Sequence, residues 1–420
     1  MKSEDGIKMD IRKIKNIKSD MIKIGRAMLD LGLQNTHSGN ISVREGNDLF
    51  ITKTGSMKGH LEERDIVLPG LFEPEYGLFQ ASSETGTHRE ILKYAGSAIH
   101  AHSLPATLLS YLMDEVKPLD FLGSKYLGNF PVVEFKHAVG SKEMEDNIPI
   151  ILKEKTAMIV KTHGPFVRGK NVYDAFFKLN ILDYTSEILL HLNLLETDSN
   201  KISELQYPGA KNYFPPTGEK ETKDKELLRQ FKKTAYDLFY LKISPFHTGS
   251  LSVEDGNEML YSSRLSTPNY IEFDIKKINI KKPSKDFFIN LHSAVYNYTT
   301  SKSAIFSHSP FGMIQGIKAL VEGKDRIIPI DAEGSYLYPA IPVLFPNENI
   351  KKIVETAAKY KIVIIAGLGA LSVGHTPGHS IHHNSSLRNI AYLKTKLQIM
   401  EKLGNIKSEK FYENKKVENW

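Results

Sequence analysis

Three histidines and one acid carry the clearest chemistry in this chain. His100 and His102 stand two residues apart, His163 lies well downstream, and Glu84 follows Ser82 and Ser83. Neutral imidazole nitrogen with a carboxylate is a ligand set for a divalent transition metal, Zn²⁺ first, and three protein ligands leave a coordination position for substrate. On a strand, His100 and His102 project from one face and can chelate together. Ser97, Ala98 and Ile99 lead in, and Ser103 before Leu104 and Pro105 reads as an N-cap with proline entering a helix. His163 follows the apolar run Ala157–Val160 and precedes Gly164, so it is expected at a strand end where a turn begins. A lone histidine has a bland reading as a packed or surface residue. The pair, the distant third and the acid together make the stronger case.

The elements that must position these residues come from a chain of 420 residues, long enough for two ordinary domains. Its 41% hydrophobic and 25% charged residues are those of a soluble globular protein. No apolar run reaches the roughly 18 to 20 residues that span a bilayer. The lysine-rich start, Met1 to Lys18, lacks the apolar core of a secretory signal, so a cytoplasmic location is expected. There is no cysteine, which removes disulfides, thiolate metal sites and cysteine nucleophiles. Any metal site must be built from His, Asp and Glu. The net charge of +6 is mild and dispersed; it suits anionic small substrates and does not indicate nucleic acid.

The chain reads twice. His37–Ile51 and His247–Tyr261 share His, Gly, Ser, Val, Gly and Asn in register, and each predicts a β-hairpin about a Gly-Asn turn. Ala98–Ser103 matches Ala304–Ser309, and Val160–Gly164 matches Ile365–Gly369. The offsets stay near 204 to 210 residues, as one duplication with small indels gives. The expected domains are 1–205 and 222–404, joined by a polar, proline-containing stretch within Thr197 to Lys225. Helices are expected at about Asp20–Leu31, from near Ser83 to Gly96 with Glu84 in its first turn, and from Asn171 to about Leu195. The last carries Val172, Ala175, Phe176, Leu179 and Leu182 at helical spacing, a core stripe. Residues from Asn405 onward read as a charged, mobile end. The cluster His375, His379, His382 and His383 reads as a polar turn capping a helix near Ser380.

The first copy, from about Ile17 to Leu195, resembles the class II aldolase/adducin family, and the second copy resembles it more loosely from about Leu227 to Lys402. The resemblance rests on five motifs in order: His37–Ser42 with Gly39 and Asn40, Lys53–Ser56 with Thr54 and Gly55, Ser82–Glu84, His100–His102, and His163–Gly164. It implies an α/β architecture of two tandem three-layer α/β/α domains, each around a largely antiparallel central sheet. Carried over by position, His100, His102 and His163 are the metal ligands. Glu84 touches the metal at rest and moves off to act as general base. Asn40, Thr54, Gly55, Ser82 and Ser83 cradle the substrate phosphate. These are the neutral donors a phosphate dianion needs, and a helix N-terminus favours an anion. Ser83 as a simple N-cap and Asn40 as a turn residue are the plain alternatives, compatible with that role.

The implied activity is that of a metal-dependent lyase on a phosphorylated sugar, with Zn²⁺ expected ahead of Mn²⁺, Co²⁺ and Fe²⁺. Retro-aldol cleavage of a ketose 1-phosphate to dihydroxyacetone phosphate and an aldehyde, through a metal-stabilised enediolate, stands first. Epimerase and decarboxylase activities of the family pass through such an intermediate, a dehydratase is a further alternative, and a non-catalytic adducin-like scaffold is the rival. Family aldolases use a tyrosine after the histidine pair; here Phe121 takes that position, with Tyr126 nearby. Tyr207 and Tyr213 are candidates for a second, tail-borne tyrosine. In copy two, Phe306 replaces His100, Leu368 replaces His163, Arg264 and Leu265 replace Thr54 and Gly55, and Phe287-Phe288 fall at Ser-Ser-Glu; only His308 remains. One imidazole cannot hold a catalytic metal, so copy two is expected to be a pseudo-enzyme domain. The expected partners are the phosphorylated sugar and further copies of the chain, two tandem chains completing a pseudo-four-fold ring, with no nucleic acid and no membrane.

Overall fold

The computed structural model describes residues 10–71, 81–198, 205–209 and 217–404. Tyr213 and the predicted mobile end after Asn405 lie outside the described residues. Two compact units emerge: one comprises the residues up to Val116 with Phe130–Asp183, the other Lys117–Asn129 with the chain from Tyr184.

The first-copy elements are α1 (Ile11–Asp30), β1 (Asn40–Glu45), β2 (Asp48–Thr52), β3 (Ile66–Val67), α2 (Thr85–Leu92), β4 (Ser97–His100), α3 (Leu104–Leu109), β5 (Glu115–Val116), α4 (Phe121–Tyr126), β6 (Phe130–Val133), α5 (Lys142–Glu154), β7 (Ala157–Val160), β8 (Gly164–Gly169) and α6 (Val172–Leu194). The sheet of unit one runs β3-β2-β1-β4-β8-β7-β6-β5. Only β6 and β7 pair in parallel; the other neighbours are antiparallel. The hairpin expected at Gly46-Asn47 is present as β1 and β2, with Gly46 at φ +60° turning the chain. The stripe on α6 packs as expected, with Val172, Ala175, Phe176, Leu179 and Leu182 buried.

Helix α1 starts nine residues before the expected Asp20, because Asp10 supplies the N-cap by accepting from the Arg12 amide at 3.0 Å. Asp20 stands mid-helix instead, and its carboxylate accepts the Tyr173 hydroxyl at 2.9 Å. Met21, Ile24, Ala27 and Met28 form the buried stripe of α1. A short 3₁₀ turn, Lys58–His60, packs on this helix. The approach requires glycine on both sides: a Cβ at Gly25 would lie 2.3 Å from the Lys58 carbonyl oxygen, and one at Gly59 2.1 Å from the Leu29 side chain.

The second-copy elements are α7 (Lys225–Tyr240), β9 (Ser250–Asp255), β10 (Glu258–Ser262), β11 (Lys276–Asn279), α8 (Phe287–Tyr298), β12 (Ser303–Ser307), α9 (Pro310–Val321), β13 (Arg326–Ile327), α10 (Ala332–Leu337), β14 (Ile341–Leu344), α11 (Ile350–Tyr360), β15 (Ile362–Ile365), β16 (Gly369–Gly374) and α12 (Pro377–Lys402). Their sheet repeats the first order strand for strand, β11-β10-β9-β12-β16-β15-β14-β13, again with one parallel pair, β14 and β15. Within this unit the segment Lys117–Asn129 is held by the Phe121 amide donating to the Gly367 carbonyl at 2.8 Å. The Tyr207 hydroxyl donates to the Leu119 carbonyl at 2.7 Å. The expected cap of the last helix falls at Thr376, whose side chain accepts from the His379 amide at 3.2 Å.

Candidate metal centre

The metal-type residues converge through strand register. Asn40 of β1 stands opposite His100 at the end of β4, and His100 stands opposite Phe166 of β8. The strand stops at His100, one departure from expectation: His102 lies beyond it, its amide donating to the Leu33 carbonyl at 3.1 Å. Ser103 then caps α3, accepting from the Ala106 amide at 3.2 Å. His163 sits in the tight turn between β7 and β8, where Thr162 adopts φ +64°. Gly164 lets that turn close on the histidine pair, since a Cβ there would meet the Ala101 carbonyl oxygen at 2.3 Å.

His100 Nε2 lies 3.1 Å from His102 Nε2 and 3.2 Å from His163 Nε2. Among the described residues this is the one group of three or more His, Cys, Asp or Glu whose ligand atoms converge, all within 4.8 Å of one another. The His375–His383 cluster makes no such convergence. The Pro165 carbonyl, 2.9 Å from His100 Nδ1, can only accept, so that nitrogen carries the proton and Nε2 presents its lone pair. Phe166 stacks on the ring at 4.1 Å between centroids. Burial, then the neighbouring His102, lowers the His100 pKa to about 3; burial, then His100, lowers His163 to about 4; burial also lowers His102. All three are therefore neutral at physiological pH, the form a metal takes.

Helix α2 begins at Thr85, later than expected, with Glu84 itself at the N-cap. Its side chain makes no cap bond and turns to the histidines instead. Glu84 Oε2 lies 3.9 Å from His100 Nε2 and accepts from Asn40 Nδ2 at 2.6 Å. Asn40 Nδ2 also donates to Ser82 Oγ at 3.1 Å. Glu84 Oε1 and Asn40 Oδ1 are buried without a protein partner. Leaving such an atom unpaired costs on the order of 1–3 kcal/mol. Three converging lone pairs and an orphaned carboxylate oxygen beside them fit a divalent metal.

Of the other residues predicted for the phosphate, Ser82 contacts Asn40, and an isolated antiparallel bridge pairs Lys53 with Ala81, the chain neighbours of Thr54 and Ser82. Thr54, Gly55 and Ser83 are exposed, Ser82 half-buried and Asn40 buried. Gly55, at φ +69°, turns the chain at this tip.

Two residues escape the motif reading. His88 is fully buried and contacts Ser42 Oγ through Nδ1 at 2.6 Å. Its counterpart His292 makes the same contact with Ser252 at 2.7 Å. The repeat offset carries that signal, and because the histidine survives where the site is lost, it belongs to the fold. The other is Lys58, 2% exposed.

Unit two shows the same scaffold with different contents. His308 is buried, with Nδ1 2.8 Å from the Leu368 carbonyl oxygen. Phe121 stacks over it at 6.3 Å, Phe306 and Phe288 lie at 5.3 and 6.0 Å, and Tyr207 packs on Phe121. Rings fill the space that three imidazoles and a carboxylate line in unit one. Tyr207 and Tyr126, sequence candidates for the aldehyde side, both belong to this unit.

Fold and site define an α/β domain duplicated in tandem, with a group of histidines that could hold a metal in the first copy. The profile of the family described as Class II Aldolase and Adducin N-terminal domain matches residues 19–190 and 238–395. The chain belongs to the class II aldolase and adducin family, with two copies of its domain in tandem. It is 32% identical over 181 residues to an L-fuculose phosphate aldolase of Methanocaldococcus jannaschii, covering 42% of this chain and 97% of that protein. It is 24% identical over 197 residues to a 3-oxo-tetronate 4-phosphate decarboxylase of Pectobacterium atrosepticum, covering 45% and 90%. The crystal structure of L-fuculose-1-phosphate aldolase from Thermus thermophilus aligns with a TM-score of 0.42 at 28% identity, covering 44% of this chain and 97% of that one.

Proposed function

We propose that this protein is a metal-dependent carbon–carbon lyase that cleaves a ketose 1-phosphate to dihydroxyacetone phosphate and an aldehyde. The observation that carries the reading is the convergence of His100, His102 and His163 beside Glu84, in a family that contains sugar-phosphate aldolases. His100, His102 and His163 would hold the metal, Zn²⁺ by ligand type, with Glu84 as fourth ligand at rest. A bound divalent ion supplies Lewis-acid polarisation of the substrate carbonyl. Asn40, Ser82, Ser83, Thr54 and Gly55 bind the phosphate and fix the sugar's orientation. Glu84 is the group that moves a proton: Asn40 steadies one carboxylate oxygen, and the other is free to accept from a substrate hydroxyl.

The test is metal analysis together with a screen of ketose 1-phosphates for release of dihydroxyacetone phosphate. One metal per chain with cleavage supports the reading. Metal without cleavage, and turnover of a sugar-acid phosphate instead, moves it to decarboxylation. A metal-free protein after zinc loading leaves the scaffold.

The assembly we propose is two chains head to tail. In unit two, α9 buries Ile314 and Ile317, and Phe311 packs against His191 near the end of α6. The matching helix of unit one, α3, leaves Leu104 and Leu108 exposed, with Tyr111 exposed just beyond its end. The end of α12 is the counterpart of the end of α6, and it exposes Leu393, Met400 and Leu403. A second chain's α12 on this chain's α3 covers both patches and closes a ring. Sedimentation should give two chains, and Leu108→Asp should give one; a fully active monomer would overturn the assembly.

A further inference from the structure

Between β2 and β3 the chain buries a lysine that no part of the proposed chemistry uses. Lys58 Nζ donates to the Ser56 carbonyl at 2.8 Å, to Ser56 Oγ at 3.2 Å and to the His37 carbonyl at 3.2 Å. Its backbone amide donates to the Thr36 carbonyl at 3.0 Å. These contacts join two turns. One runs through His37 into Asn40; the other, Lys53–Ser56, carries Thr54 and Gly55 at its tip and closes on itself through Ser56 Oγ and the Lys53 carbonyl at 2.7 Å. The base beneath is rigid, since Gly25 and Gly59 seat α1 directly on the Lys58–His60 turn.

The acceptors around the ammonium are all neutral, and a buried charge without a contacting carboxylate is unfavourable because it loses its hydration. Burial lowers the Lys58 pKa to about 8, against a smaller raising influence of Asp65, so the charge persists at neutral pH. Unit two supplies an internal control. There the register of the repeat puts Ser266 at Ser56 and Pro268 at Lys58. The same two turns are joined by neutral bonds: Ser266 Oγ donates to the Ser244 carbonyl at 2.8 Å and the His247 amide to the Ser266 carbonyl at 2.8 Å. Holding the turns together therefore does not need a cation. The unit that has lost the cradle has none at this position.

We infer that Lys58 is a positioning residue of the phosphate cradle, fixing the Thr54–Gly55 tip against Asn40 and supplying a buried positive charge behind donors that are themselves neutral. The inference rests on the cradle reading proposed above. Inorganic phosphate titrated calorimetrically into the zinc-loaded full chain tests it, on wild type, Lys58→Met, Lys58→Gln and Lys58→Arg, with metal content and thermal melts measured alongside. The expected result is one metal in each protein, phosphate affinity reduced tenfold or more in the Met and Gln variants, and recovery to within about threefold in the Arg variant. Equal affinity in wild type and the Met or Gln variant overturns the role of Lys58 while leaving the cradle standing. Equal loss in Arg and Met assigns a structural role only and overturns the charge. No phosphate binding by wild type overturns the cradle itself. If the Lys58 variants do not fold, Ser56→Ala decides: removal of one acceptor should weaken phosphate about threefold at unchanged metal content, and no change there overturns the inference.

Discussion

At the scale of single residues, the candidate site is three neutral imidazoles and one carboxylate whose roles are separable by substitution. His100→Ala removes the central ligand, the one whose Nε2 faces both others, and should drop metal content from one per chain to less than about a tenth. Elemental analysis checks this; retention of a full equivalent would show that the metal sits elsewhere. Glu84→Gln keeps an oxygen near His100 and the shape of the side chain but cannot take a proton. It should keep the metal and lose roughly 10² to 10⁴ in kcat, measured against wild type under saturating substrate. An unchanged kcat would leave the proton to another group. The candidate ligands were legible in the sequence by residue type and, for His100 and His102, by local spacing, with His163 and Glu84 added by the order of motifs in the family resemblance. Lys58 was not, since nothing in Met57-Lys58-Gly59 announces that α1 will close over it.

At the scale of elements, turns and helix ends decide where these side chains point. Gly164→Ala sets a methyl against the Ala101 carbonyl at a backbone φ of +149°. It should cost about 1–3 kcal/mol in stability and loosen the metal, read by chemical denaturation and by retention of zinc under a competing chelator. Wild-type values in both would mean that the turn relaxes freely. In unit two, His292 is fully buried between Ser250 and Ser252, and burial holds its pKa at about 3. The unfolded chain takes up a proton near pH 6.5 that the folded chain refuses until about pH 3, so between those values the native state binds one proton fewer than the unfolded chain. Stability is fully present above pH 6.5 and declines from there toward pH 3, by up to about 1.4 kcal/mol per pH unit for this residue. His292→Gln should flatten the fall of unfolding free energy between pH 6 and 4 by about one proton, and an unchanged slope would refute the assignment. The expected start of α1 at Asp20 and the strand through His102 were misplaced for two reasons. The helix start is set by a local N-cap, Asp10, that the apolar pattern did not mark, and the strand end by a distant partner, the Leu33 carbonyl that takes the His102 amide.

At the scale of the whole molecule, the two copies differ in content: one unit keeps the candidate ligands, and the other keeps the scaffold and fills the space with aromatic rings. Metal stoichiometry should therefore be one per chain, and His308→Ala should leave it at one; two metals per chain would refute the division. By itself the sequence determined the candidate ligand types, the repeat, the family and the absence of the matching residues in copy two, because these reside in residue identity and in the order of short motifs. Tertiary structure alone decided that His163 reaches His100 across the β7–β8 turn and that Glu84 faces the histidines instead of capping its helix. It also decided that Lys117–Asn129 joins unit two and that Lys58 is enclosed. Each depends on the register of strands far apart in the chain and on which surfaces pack, and no local pattern encodes such long-range pairing.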